Sequence, residues 1–176
     1  GKVQFALGVR NPRVADVSAS NGFESDNDGS GTAAMPQTAP VFSNVTLIGP
    51  WKSKDDKNVN SMFGAGMHIR RNSSLSVFNS VFAGWNTGLL LDATTTYANA
   101  LAGNLAIQNI ALVANKVKSV NGASSVVEAD ALAFFNTTLF ANQIIADNAT
   151  AKISGSFFDA TKTGTAANPT SFLPES

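Results

Sequence analysis

Glu24, His68 and Arg70 are the residues whose types and setting could do chemistry. Glu24 follows Phe23, and His68 and Arg70 flank Ile69. Successive side chains of an extended strand point to opposite faces. With Phe23 and Ile69 turned toward a core, a carboxylate, an imidazole and a guanidinium share the solvent face. Such a trio could bind a polar or charged ligand. It could equally be a surface ion pair with a nearby histidine, contributing about 0–1 kcal/mol. The ion-pair reading is preferred, because isolated charges on a solvated face are ordinary.

The run Asp26-Asn27-Asp28-Gly29-Ser30-Gly31 opens like a calcium loop. Hard cations need several oxygens, and alternating Asp with Gly at a tight turn supplies them. Asp26 and Asp28 are therefore candidate calcium ligands. Gln37 stands where a closing Glu would fall, so a solvated turn is the preferred reading. His68 is the only histidine and cysteine is absent, which removes His-rich and thiolate metal sites. No G-x-S-x-G nucleophile elbow occurs. Trp51, Trp85 and Tyr97 could stack on sugar rings, but single aromatics at turns more often cover a core edge. Asn44, Asn72, Asn136 and Asn148 each open an N-x-S/T sequon, and a structural role is preferred for them. No catalytic residue and no resident cofactor is assigned.

The elements that must position these residues form a repeat. VFSNVTLIG at 41–49, SVFNSVFAG at 76–84 and AIQNIALVA at 106–114 share one code, continued by FFNTTLFA at 134–141 and ISGSFFDA at 153–160. The anchors are Asn44, Asn79, Asn109, Asn136 and Gly155. Two places before each stands Phe42, Val77, Ile107, Phe134 or Ile153. Three places after stands Leu47, Phe82, Leu112, Leu139 or Phe158. Five places after, the residue is small: Gly49, Gly84, Ala114, Ala141 or Ala160. One unbroken strand would send the two apolar positions to opposite faces. A bend at the anchor sends both inward, and Asn tolerates the left-handed backbone such a bend needs. The position just after the anchor fits less well, since Ser80, Thr137 and Ser156 are polar there.

A second piece recurs between the units: Phe23-Glu24-Ser25-Asp26, Ile69-Arg70-Arg71-Asn72, Leu89-Leu90-Leu91-Asp92 and Ile145-Ala146-Asp147-Asn148. Each coil thus reads as three short strands with bends between them. The spacing of anchors shortens along the chain, so the longer intervals carry inserted loops, placed at 27–39, 50–65, 93–103 and 115–124. The expected fold is all-β, a right-handed parallel β-helix (β-solenoid) of about five to six coils with variable loops. A β-sandwich also has many short strands, but it would not require one positional code in five consecutive copies. Stacked coils put like residue on like about 4.8 Å apart. Aligned Asn side chains could then form an axial ladder.

Composition agrees. Hydrophobic residues make up 44% of the 176 residues and charged residues 14%, below the quarter or so of an ordinary soluble domain. Twelve Lys and Arg balance twelve Asp and Glu, so no basic stripe awaits a nucleic acid. No stretch is apolar enough to be a membrane helix. The chain opens with Gly1, and Lys2 to Leu7 already alternate like a strand. It reads as one β-helix segment over 1–176, an interior or C-terminal slice of a longer chain, whose remainder is its first expected partner.

The segment Ser20-Asn21-Gly22-Phe23-Glu24-Ser25-Asp26-Asn27-Asp28, then Pro40-Val41-Phe42-Ser43-Asn44, resembles secreted or outer-surface proteins of Gram-negative bacteria with a pectin-lyase-like parallel β-helix. His68-Ile69-Arg70-Arg71-Asn72, Val77-Phe78-Asn79-Ser80-Val81 and Thr87-Gly88-Leu89-Leu90 extend the resemblance to about Leu112. It implies export to the outer membrane or cell exterior. In β-helix pectate lyases the corresponding sheet face holds calcium on Asp carboxylates and uses an Arg as base. By that analogy, Glu24, His68 and Arg70 would line a lyase-like or glycan-binding groove, although a convincing acidic cluster is missing. The preferred expectation is a structural or adhesive β-solenoid segment without catalysis, with a polysaccharide or a cell-surface protein as possible partner. The alternative is a carbohydrate-active β-helix.

Overall fold

The computed structural model describes residues 1–153. Two parallel sheets wind through the chain. The first begins with β1 (Lys2–Gln4) and β2 (Leu7–Val9), and the second with β3 (Phe23–Ser25). The next coil repeats this order with β4 (Val41–Ser43), β5 (Thr46–Ile48) and β6 (Ala65–Ile69). In the third, β7 (Ser76–Ala83) runs through the bend as one strand and β8 (Thr87–Asp92) follows. The fourth has β9 (Ile107–Val113) and β10 (Lys118–Ala123), and β11 (Gln143–Ile145) opens a fifth. Helices α1 (Thr94–Leu101) and α2 (Glu128–Phe135) lie between coils. Every strand pair is parallel, as a β-solenoid requires.

The bend has a backbone signature. Asn44, Asn79 and Asn109 have φ of 55°, 50° and 55°. Their rung neighbours share it without being Asn: Phe5 at 57° and Ala141 at 52°. Register places Phe5 beside Asn44, since Gln4 pairs with Ser43. The first coil therefore follows the code with a phenylalanine at the bend.

One repeat unit needs correction. Asn136 is not a bend: it ends α2 at φ −84°, its N–H donating to the Leu132 carbonyl at 2.9 Å. The residues 128–135 are mostly good helix formers, with Glu128 and Asp130 in the first turn facing the helix dipole. Ala131 and Phe135, four apart, are both fully buried. Leu132 and Phe134 satisfy the two-residue period as well, which made a helix look like a strand. The bend passes to Ala141, ahead of β11.

Asn142 then occupies the position after the bend and explains why that position tolerates polarity. Its Oδ1 accepts the Ile110 N–H at 2.9 Å, and its Nδ2 donates to the Ile107 carbonyl at 2.8 Å. Ser80 does the same one pair of coils earlier, its Oγ accepting the Val45 N–H at 3.0 Å. The left-handed residue breaks the ladder, and a polar side chain from the next rung receives the N–H left over.

Two of the expected insertions hold regular structure: 93–103 contains α1, and 115–124 contains β10. Gly155 and most of its repeat unit lie outside the described residues. The recurring second piece also shifts. Phe23 pairs with Met67, not Ile69, and Met67 with Leu89. The Ile145 copy belongs to the first sheet.

Between the sheets lies one apolar column. Val77, Phe82, Met67, Ile69, Leu89, Leu91, Ile107 and Leu112 have no exposed surface. Burying each contributes roughly 1.5–3 kcal/mol. Phe23 sits 4.5 Å from the Phe42 ring and meets Phe82 edge-on at 5.6 Å. At Gly49 a close approach requires a small residue: a Cβ there would lie 2.3 Å from the Gly84 carbonyl oxygen.

Candidate functional site

The second sheet's outward face carries the ionic residues. Because Phe23 pairs with Met67, Glu24 stands beside His68, and Leu90 and Asn121 continue that row. Arg70 lies just past β6 and reaches back toward the previous coil. Its Nε donates to Asp26 Oδ1 at 2.6 Å and its Nη2 to Asp26 Oδ2 at 3.2 Å. The same Nη2 lies 2.6 Å from Glu24 Oε1. Arg71 adds a contact from Nη1 to Asp26 Oδ2 at 3.0 Å. Asn21 Nδ2 donates to Glu24 Oε2 at 2.6 Å. On the other side His68 Nε2 is 3.0 Å from Asp92 Oδ2.

The expected trio is therefore close together, but it belongs to a larger network with Asp26, Asp92 and Arg71. Burial by itself raises the Asp26 carboxyl. The Arg70 hydrogen bond and charge, helped by Arg71, outweigh it and leave the pKa below the ordinary value. Asp92 follows the same pattern: burial raises it, while the Ser124 hydroxyl, His68 and Arg70 together pull it down. Asp92 was visible in the sequence as the Asp of Leu89-Leu90-Leu91-Asp92. Its pairing with His68 was not, because that depends on the two-residue register shift.

Asp26 and Asp28 do not converge. Asp26 is engaged by two guanidinium groups. Asp28 turns into its own loop, where Oδ1 accepts the Ser30 N–H at 2.7 Å and Oδ2 the Thr32 N–H at 3.1 Å. These contacts, the Thr32 hydroxyl foremost, lower its pKa. Among the described residues, no three His, Cys, Asp or Glu side chains gather in a way that could hold a metal ion.

The tryptophans are core residues: Trp51 is 2% and Trp85 1% exposed. Trp85 Nε1 donates to the Leu47 carbonyl at 3.1 Å. The Tyr97 hydroxyl contacts the Asp130 carbonyl at 3.4 Å, and its ring packs against the same core. No sugar-stacking platform forms from these three. Asn109 Nδ2 donates to Asn79 Oδ1 at 3.0 Å, whereas Asn44 turns to Ser43 Oγ, so this one bond does not extend to the next coil.

A family model described as "Pectate-lyase like beta helix domain" matches residues 7–165. The chain belongs to this family. The match runs from the first coil through the last described strand, so it covers both sheets and the ionic face. No curated protein and no solved structure matches the chain. Among the described residues of this β-helix, no helix is long and apolar enough to cross a membrane.

Proposed function

We propose that this β-helix is a structural or adhesive segment of a bacterial secreted or cell-surface protein, without catalysis of its own. The carrying observation is the saturation of the ionic face. Glu24 and Asp26 are matched by Arg70, Asp26 also by Arg71, and Asp92 by His68. Each of these carboxylates is engaged by a basic side chain across adjacent coils, which leaves it poorly placed to act on a ligand. The network then serves to fasten one rung to the next. The placement outside the cell or on the outer membrane rests on resemblance and family. The partners proposed are the rest of a longer chain and a polysaccharide or protein at the cell surface.

The second reading is a glycan-binding or glycan-cleaving surface. It draws on the family and on His68, which is mostly buried beside Asp92 and neighbours Arg70 on one face. Calcium enters as a possible bridging ion for an acidic glycan. One experiment separates the readings: the protein and its Arg70→Ala variant are screened against acidic and neutral polysaccharides, with and without chelator. The first reading expects no cleavage from either protein, and any adhesion to a polysaccharide to be the same in Arg70→Ala as in the parent. Binding or cleavage that disappears in a folded Arg70→Ala variant overturns it.

A further inference from the structure

Asn44, Asn72, Asn136 and Asn148 each open an N-x-S/T sequon, and the fold treats the four differently. A sequon can take an N-linked sugar only where its amide and its hydroxyl are both within reach from solvent. At Asn72 neither is. Its Nδ2 donates to the Thr32 carbonyl at 2.8 Å, its Oδ1 accepts from Asn99 Nδ2 at 2.9 Å, and Ser74 is buried. At Asn148, Nδ2 donates to the Lys52 carbonyl at 2.8 Å, Oδ1 is buried, and the Thr150 hydroxyl is held by Asp147.

Asn44 is exposed, but its sequon is built into the wall. The Asn44 N–H donates to the Phe78 carbonyl at 3.1 Å and the Thr46 N–H to the Ala6 carbonyl at 2.9 Å. Thr46 pairs with Leu7 on one side and Val81 on the other. Backbone groups spent on both neighbouring coils are not free for an enzyme that must grip the segment.

Asn136 stands apart, because the bend expected there belongs to Ala141. Asn136, Thr137 and Thr138 are all exposed, and Leu139 beside them is 92% exposed, so the whole stretch stands in solvent. Its backbone bonds are local. The Thr137 N–H donates to the Phe134 carbonyl at 3.2 Å, and the Ala141 N–H to the Thr138 carbonyl at 3.3 Å. Local bonds at a helix end are among the first to open. Thr137 Oγ1 turns back to the Ala133 carbonyl at 3.5 Å, and among the described residues the Asn136 amide and the Thr138 hydroxyl have no hydrogen-bond partner.

We propose that Asn136 is the one sequon of the four at which the folded protein accepts an N-linked sugar. The donor is a sugar activated as a diphosphate ester, carried on a nucleoside or on a lipid. Asn136 Nδ2 bonds to the anomeric carbon, and the bond from that carbon to the diphosphate oxygen breaks. The diphosphate leaves with the electron pair, and Nδ2 gives one proton to a base of the transferase. The acceptor lies between α2 and the 3-10 turn, outside the strands, so an attached sugar interrupts no pairing. This holds whether the β-helix is a scaffold or binds glycans.

The test incubates the folded protein with sequon-reading transferases. One reaction supplies a nucleoside-diphosphate hexose, and the other a lipid-diphosphate oligosaccharide with a membrane-bound transferase. Peptide mass spectrometry then locates the sugar. Sugar on Asn136 and on none of the other three is expected in at least one reaction, and the reaction that works identifies the donor. Asn136→Gln and Thr138→Ala, with folding checked by circular dichroism, should carry none. Synthetic peptides offer the four sequons without the fold, and those of Asn44, Asn72 and Asn148 should be modified as readily as that of Asn136. A folded protein without sugar on Asn136 in either reaction overturns the proposal. Comparable occupancy at Asn44, Asn72 or Asn148 of the folded protein overturns it too, as does a peptide set in which only Asn136 is modified, since the fold would then not be what selects it.

Discussion

The two sheets share an interior and differ on their outward faces. Facing inward, Phe82 and Leu112 of one and Met67, Leu89 and Leu91 of the other are equally buried. Outside, the bend sheet is apolar after the bend and the chain's own arm, residues 147–153 following β11, packs on it there, whereas the second sheet is ionic and meets solvent through Glu24, Arg70 and Asp92. Stacking alone dictates the inside, because each rung must present an apolar residue to the rung above. The outside is set by whatever covers it. A repeat therefore constrains its inward positions strongly and leaves each outward face to its own solution.

The sharpest way to break this comparison is to place one charge on each outward face. Val113→Asp puts a carboxylate under the arm, where an uncompensated buried charge costs about 3–5 kcal/mol. Leu90→Asp puts the same group beside His68 on the solvated face, where a change within about 1 kcal/mol is expected. Urea unfolding of both variants checks it, and equal losses would mean that the two faces do not differ as described.

The next effect tests whether the ionic face fastens coils. Arg70→Ala leaves Glu24 without its cation and Asp26 with Arg71 alone, and a loss of roughly 1–3 kcal/mol is expected. Folded-state pKa values of Asp26 and Asp92 lie below their unfolded values. Their contribution is complete above the ordinary Asp range, near about pH 4, and is lost as pH falls through the lower folded values. The parent's melting temperature should therefore drop below that pH more steeply than that of Arg70→Ala, whose Asp26 is less depressed. A parallel decline in the two proteins would remove Arg70 from the explanation.

The smallest effect concerns the bend. Asn79→Ala keeps a Cβ at φ 50° and loses the Asn side chain that tolerates it, which costs about 1 kcal/mol. Asn79→Gly should lie within a few tenths of a kcal/mol of the parent, because glycine needs no such tolerance. A large loss in the glycine variant would assign the residue's contribution to its side-chain bond with Asn109.

The inward code was legible from the chain alone because it is periodic: Phe42, Val77 and Ile107 before the bend, Leu47, Phe82 and Leu112 after it. The fourth copy misled for a physical reason. Leu132 and Phe134 are two apart, but Glu128 to Phe135 also satisfies helical spacing, and a buried helix won. The first coil was passed over because its bend residue is Phe5, and a chain can adopt left-handed geometry at a residue that does not advertise it. At the candidate site the residue types were legible and the neighbours were not. A shift of two residues preserves which face a side chain occupies, so Glu24, His68 and Arg70 stayed outward. It changes who stands beside whom, and so Asp92 was missed as the partner of His68.

The corner that follows the second sheet joins the coils in four different ways. It is a long loop from Asp26 to Pro40, a short turn from Arg70 to Leu75, helix α1, and finally helix α2 with a 3-10 turn at Thr138–Phe140. The strands on either side keep parallel pairing throughout. Length at this corner is thus uncoupled from registration. New segments could be grafted there, or lost in the course of descent, one coil at a time, without disturbing the wall to which they attach.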